Sequence, residues 1–188
     1  MSADGLLDER WELIWKAEYS SRYHRRRAAF LSNTDTFINV INVMAGASAF
    51  GALLAEAPTM LSKFGTAIVV LLSLLQILLR LGANSAAHAQ WLGRWTTLLA
   101  ELRSKTAPTE IDLEKWFHES AMIESQCVGE LRALCYACEN AAARALGVPD
   151  REVEIKWWQR LIMHLVTIQS SFPRVRQPRE CHNSSVNQ

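Results

Sequence analysis

Uncharged positions run without a break from Thr36 to Ala55, "TFINVINVMAGASAFGALLA", between Asp35 and Glu56. A helix of that length rises about 30 Å, the hydrocarbon thickness of a bilayer. A second apolar run, "FGTAIVVLLSLLQILL", lies between Lys63 and Arg80. It rises only about 24 Å, but Arg80 can snorkel and Leu81 to Ala83 can lengthen it. The connection "EAPTMLSK" is short and holds Pro58, so the two helices must be antiparallel neighbours. The pattern predicts a helical hairpin with spans at about 36–55 and 64–83. The competing reading is a water-soluble four-helix bundle whose central pair is buried all round. Length decides against it. The other helices of so short a chain offer one apolar face each, too little to wrap two wholly apolar ones.

The flanks read as long amphipathic helices. Over residues 7–34, Trp11, Ile14, Trp15, Tyr19 and Tyr23 recur at spacings of three and four and form one stripe. The second span continues past Gly82 into "NSAAHAQWLGRWTTLLAELRSK", where Trp91, Trp95, Leu98, Leu99 and Leu102 repeat the pattern. Those tryptophans lie eight and twelve residues beyond Ala83, which favours packing on the leading helix over an interfacial role. Pro108 ends this helix, and Thr109 is a suitable N-cap for the next, from about Ile111 to Leu146. One side of that helix carries Leu113, Trp116, Phe117, Ile123, Cys127, Leu131, Leu134, Cys138 and Ala142. Gly147, Val148 and Pro149 stop it. Asp150 then caps a last helix with Val153, Trp157, Leu161, His164, Leu165 and Ile168 at near-heptad spacing. No strand pattern occurs. The predicted fold is an all-α membrane protein, a two-transmembrane hairpin with long amphipathic cytosolic helices. It divides into a core at 7–105, a C-terminal cytosolic helical hairpin at 109–170 and a disordered tail at 173–188, rich in polar residues.

Charge sets the orientation. Arg22, Arg25, Arg26 and Arg27 precede the first span, and Arg80, Arg94, Arg103 and Lys105 follow or close the second, while the turn carries only Lys63. The positive-inside rule places both termini in the cytoplasm and the turn outside. Arg25 to Arg27 are also suited to anionic lipid head groups. A net charge of +1 creates no field for nucleic acid. "MSADGLLDER" is acidic with no apolar core, so no secretory leader is expected, and four cysteines without one do not imply a disulfide scaffold.

No catalytic constellation stands out, and neither an enzyme nor a cofactor is expected. Phosphate loops, nucleophile elbows and paired-histidine zinc helices are all missing from the sequence. Cys135-Tyr-Ala-Cys138 is a CxxC with Cys127 nearby, but its further ligands would be His164, Cys181 and His182, two of them in the tail. Buried cysteines filling core gaps are the simpler reading. His24, His88, His118 and His164 are scattered. "NSS" at 183–185 is a glycosylation sequon without meaning in a cytosolic tail. The spans are more informative. Asn39, Asn42, Gly46 and Ala49 share one face of the first, and Thr66, Ser73, Gln76 and Arg80 one face of the second. Polar groups in hydrocarbon must face protein or water. Either the two faces pair across the hairpin, with small residues allowing close approach, or they line an aqueous path in an oligomer. Within one chain, pairing is favoured.

The helix "ERWELIWKAEYSSRYHRRRAAFLS", the small-residue first span, the second span and "AAHAQWLGRWTTLLAELRSK" together resemble the SLATT family of bacterial two-transmembrane proteins over residues 9–105. That family is associated with nucleotide-signalled conflict and antiphage systems. The resemblance implies a homo-oligomeric effector that forms a pore or disrupts the membrane when a signal arrives. This chain carries no sensor domain, so a separate nucleotide-sensing partner would supply that signal. The alternatives from other classes are a non-conducting two-span adaptor that recruits a cytosolic partner, and a holin or exclusion protein of a prophage.

Overall fold

The computed structural model describes residues 3–54, 59–127 and 131–164. It is mostly helical: α1 is Ala3–Leu54, α2 Thr59–Leu79, α3 Leu81–Ser104, α4 Glu110–Gln126, α5 Arg132–Leu146 and α6 Trp157–Ile162, with a 3-10 turn at Pro149–Arg151. No β-strand occurs among the described residues. Contacts divide the chain into two units, Met1–Cys127 and Val128–Gln188.

In the first unit, α1 is a single helix of 52 residues, about 78 Å long. Proline is absent from it, so nothing in its backbone forces a stop where the charged sequence gives way to the apolar run. The chain then returns antiparallel along α1, first as α2 and then as α3. The register is continuous. Asn42 meets Ser73, Ser85 donates to the Ala28 carbonyl, His24 meets His88, and Arg10 donates to the Leu102 carbonyl.

The return helix is broken once. Arg80 adopts the left-handed conformation, φ 47° and ψ 45°, which costs a non-glycine residue about 1–2 kcal/mol. Asn84 offsets that cost. Its side-chain Nδ2 donates to the otherwise orphaned Leu79 carbonyl at 2.8 Å, and its backbone N–H to the Arg80 carbonyl at 2.9 Å. The expected span over 64–83 is therefore divided, with Leu81 to Ala83 forming the first turn of α3. Neither glycine nor proline marks Arg80 as the break, which is why the sequence reads as continuous there. One helical stretch among the described residues, Lys63–Ser104, is long and apolar enough to cross a membrane. Only 6% of its most apolar window is buried.

Burial differs along the unit. Beside α3, α1 contributes Leu13, Ile14, Trp15, Ala17 and Tyr23 to a core with Trp95, Leu98, Leu99 and Leu102, and α4 closes it with Leu113, Trp116 and Ile123. Trp11 stacks on Trp15, and Trp95 is 1% exposed, so these tryptophans pack. Glu18, nearly buried, accepts from Arg22 one turn on and from Arg103 of α3, which locks the two helices in register. Beside α2, by contrast, the α1 side chains Phe37, Val40, Val43 and Met44 are exposed. At the junction between the two halves, Leu31, Ile38 and Leu81 form a small cluster with Phe30 and Leu72.

The start of α4 follows its predicted cap. The Thr109 hydroxyl accepts from the Asp112 N–H, and the Asp112 carboxylate accepts in return from the Thr109 N–H. Hydrogen bonds from Lys105 and Thr109 hold that carboxyl well below the usual range. The helix expected over 111–146 is in fact two, α4 and α5. Cys127 and Leu131 are both extended, and the sequence between them contains Val128 and Gly129, weak helix formers.

The second unit is built on α5, which buries Ala133, Leu134, Cys135, Cys138 and Ala142 on one side. Gly147 ends it in the left-handed region at φ 72° as anticipated, its N–H donating to the Ala143 carbonyl. The helix expected from Asp150 onward forms only at α6. Asn140, buried, prevents an earlier start: its Nδ2 donates to the Val153 carbonyl at 2.6 Å and its Oδ1 accepts from the Val153 N–H at 2.8 Å. The side chain thus takes the place of a strand neighbour and holds residues 152–156 extended. Gln159 then accepts the Lys156 N–H and opens α6. Leu165, Ile168 and the 173–188 tail lie outside the described residues.

Candidate functional site

The polar faces of α1 and α2 meet. Gln76 Nε2 donates to Asn39 Oδ1 at 2.9 Å and to Asp35 Oδ1 at 2.7 Å, and Asn39 Nδ2 donates to Asp35 Oδ2 at 3.4 Å. One turn farther along, Asn42 Nδ2 donates to Ser73 Oγ at 3.2 Å, leaving Asn42 Oδ1 buried without a donor. These residues form a ladder of hydrogen bonds between two helices whose other faces are apolar and exposed. The ladder is open on one side: Asn39 is exposed, and Asp35, Asn42, Ser73 and Gln76 are half-buried.

Other residues of the expected faces are placed differently. Gly46 is exposed, and a Cβ built on it would meet nothing within 4 Å, so it does not seat a close helix approach. The side chain of Ala49 lies outside the described set, and Thr66 is exposed on α2. Arg80 is exposed at the break and does not join the ladder. At Gly82 an added Cβ would stand in ordinary van der Waals contact, 3.7 Å from Asp35 Oδ2. The carboxylate thus packs against the first turn of α3, the end of a helix that attracts negative charge. Asp35 belongs to the site although the sequence offers it only as the boundary of a run. Its spacing of four from Asn39 and seven from Asn42 was the available signal.

Beyond the ladder the basic residues separate. Arg22 is held by Glu18, Arg25 and Arg26 are exposed, and the Arg27 guanidinium carbon lies 5.7 Å from the centre of the Phe30 ring. His24 and His88, expected to be scattered, are in contact: their Nδ1 atoms are 2.8 Å apart, one donating and the other accepting. Tyr23 and Trp91 pack edge-on or tilted around them. Burial and the neighbouring His88 lower the His24 pKa to about 4; burial and Arg27 do the same for His88. Counting back along the two helices from the ladder brings His24 opposite His88 within a turn, a signal that emerges only once the hairpin register is fixed. Cys127 Sγ stands 3.7 Å from His24 Nε2, on the far side of the ring from His88. Among the described residues no three His, Cys, Asp or Glu side chains converge to hold a metal. Cys135 and Cys138 are buried in the second unit, His118 is exposed, and Cys181 and His182 lie outside the described residues.

Between α3 and α4 opens a cleft of about 610 Å³, lined by Trp91, Arg94, Glu101, Lys115, Trp116 and Glu119. Its charges close on one another, Lys115 on Glu101 at 2.9 Å and Arg94 on Glu119 at 3.4 Å. The hydrogen bond from Lys115 lowers the Glu101 pKa. No family model, curated protein or solved structure matches the chain.

Proposed function

We propose that the chain is a two-span membrane effector of a bacterial inner membrane, with both termini in the cytoplasm. Its hairpins assemble with copies of themselves and open a conductive path when the cytosolic bundle receives a signal. The observation that carries this reading is the inverted arrangement of the hairpin. Ile77 and Leu78 of α2 are 71% and 77% exposed, while the polar residues of both helices turn toward each other. Such a surface is stable in lipid and costly in water. The open side of the ladder supports assembly, because an exposed Asn39 in hydrocarbon needs protein or water against it. The SLATT resemblance supplies the antiphage context, and with it the expectation that a separate nucleotide-sensing protein provides the trigger.

A second reading, a non-conducting adaptor, is favoured by one observation: Asn39 and Asn42 already find partners within their own hairpin. Fractionation and membrane potential separate the two. The effector stays in the membrane pellet through alkaline washing, and its induction depolarises cells in a potential-sensitive dye assay. The double variant Asn42→Leu, Gln76→Leu then protects the cells. A membrane-bound protein that never depolarises is the adaptor. A monodisperse product made without detergent removes both.

A further inference from the structure

In the second unit the usual order of inside and outside is reversed over a short stretch, Lys156-Trp157-Trp158-Gln159-Arg160. Gln159 is 3% exposed, whereas Trp157 is 75% and Trp158 39% exposed. The local fold dictates that order. Asn140 holds residues 152–156 extended, Val153 and Ile155 are buried, and Gln159 turns inward to accept the Lys156 N–H. Both indoles are thereby left on the surface at the start of α6, a costly place in water for large apolar rings. Lys156 and Arg160 precede and follow them, both exposed, and neither forms an ion pair with another described residue. Glu154, exposed two residues before Lys156, is the nearest carboxylate in sequence. From Ile155 to Arg179 the chain carries five basic residues and no acidic one, while acidic side chains outnumber basic ones elsewhere. The last three of those five, Arg174, Arg176 and Arg179, lie outside the described residues.

We propose that Lys156, Trp157, Trp158 and Arg160 form an interfacial anchor that seats the second unit on an anionic lipid surface. An indole suits that boundary: its ring enters the edge of the hydrocarbon while its N–H stays among head groups and water. The ammonium and guanidinium beside it meet lipid phosphates, and each basic residue strengthens attachment about fivefold. Neither signal holds a protein to a membrane alone, whereas apolar area and charge together do. Two adjacent helical side chains leave the axis roughly 100° apart, so a rigid protein pocket must be shaped for both. A fluid lipid boundary takes both at once and asks only for opposite charge, which the run from Lys156 to Arg179 is suited to meet. The anchor belongs to a different unit from the hairpin and does not rest on the hairpin spanning the membrane.

The test uses the full chain, transferred from detergent into vesicles of phosphatidylcholine alone or mixed with phosphatidylglycerol. Bromine on the acyl chains near the head groups quenches any indole that reaches them. The double variant Trp157→Phe, Trp158→Phe keeps aromatic bulk but removes two reporters, so its difference from the parent reads this pair apart from the five other tryptophans. That difference signal should be quenched in the anionic vesicles and released at about 1 M salt, where the Debye length is about 3 Å. Lys156→Gln, Arg160→Gln leaves the indoles intact and should lower the quenching to its level in neutral vesicles, while Glu154→Gln should deepen it. Quenching that is equal in neutral and anionic vesicles, or unchanged in Lys156→Gln, Arg160→Gln, overturns the anchor and assigns the aromatic pair to a protein partner. Flotation of the same samples separates this failure from that of the spans. A chain that floats with anionic vesicles only, its pair quenched there, keeps the anchor and removes the spans. A chain that floats with both, with no charge-dependent quenching, keeps the spans and removes the anchor.

Discussion

Trp95 and Leu102 are 1% and 0% exposed where α3 packs on α1, whereas Leu71 and Leu78, on the helix leading into α3, are 67% and 77% exposed. The two stretches face the same partner helix in the same antiparallel register. What differs is the number of helices. Beside α3, α4 covers the third side, and apolar side chains point inward while Lys16, Glu124 and Arg94 take the surface. Beside α2, only two helices meet among the described residues. Each has one face to give its neighbour, and that face holds Asn39, Asn42, Ser73 and Gln76. The polarity of inside and outside is thereby exchanged between two halves of one helix. A bundle in water buries its apolar stripe, whereas a hairpin in hydrocarbon hides its polar one.

The sharpest way to break the comparison is to delete equivalent bulk from each half. Trp95→Ala should cost about 3 kcal/mol of unfolding free energy in detergent micelles, the low end for a buried tryptophan. Its indole N–H is buried without an acceptor, so part of what burial gains is already offset. Leu78→Ala should stay within about 0.5 kcal/mol. Comparable losses at the two positions would mean that α2 is covered by something the two-helix hairpin does not supply.

Charge tests the surroundings rather than the packing. Val70 is 52% exposed near the middle of α2, and Val70→Lys should cost about 2.5–3.5 kcal/mol of membrane insertion. Ala100→Lys, at an exposed position of α3, should be neutral. The readout is the fraction retained in the pellet after alkaline extraction. Equal retention of the two variants would place water around the whole length of the return helix.

These contrasts were legible in the sequence to different depths. Helical content, the Thr109 cap and the Gly147 stop follow from local chemistry, and so does the pairing of the Asn39–Asn42 face with Ser73 and Gln76. The missed features are tertiary. Arg80 breaks the return helix because Asn84 caps the Leu79 carbonyl, and no turn residue announces it. Residues 152–156 are extended because Asn140, on another helix, grips Val153 from both sides. A periodicity argument sees a heptad there and not the asparagine that competes with it. His24 and His88 are far apart in the chain, and only the three-dimensional register joins them.

That histidine pair gives the bundle half a pH dependence of its own. An unfolded histidine takes up its proton near pH 6.5, whereas His24 and His88 remain neutral in the fold down to about 4. Between those values the unfolded chain binds more protons, so stability is complete above pH 6.5 and falls as the pH drops toward 4. The loss should be about 2 kcal/mol, allowing for the partial exposure of His88. Tm followed against pH should show this slope, and His24→Phe should flatten it. Tyr23, Arg27, Trp91 and Cys127 are the groups facing the pair, and none of them titrates ordinarily in that window. A slope unchanged in His24→Phe would assign the effect to carboxylates elsewhere.

The smallest effect concerns the ladder itself. A hydrogen bond between helices in a membrane contributes on average about 0.6 kcal/mol, because the separated helices also find polar partners. A cycle of Asn42→Leu, Ser73→Ala and the double variant isolates the 3.2 Å contact between them. On the proposed two-span reading, each single change leaves the other group facing hydrocarbon, so each should cost more than the double variant implies by addition. The expected coupling is about 0.6 kcal/mol by unfolding in micelles, and depolarisation gives a second axis. If the ladder only packs, the double variant restores stability and conducts as the parent does. If the ladder lines the path, stability is restored while conductance falls, since two apolar side chains now stand where polar ones stood. Energy and conductance therefore respond differently to the same pair of changes, and their divergence distinguishes a hydrogen bond that holds two helices together from one that also lines a pore.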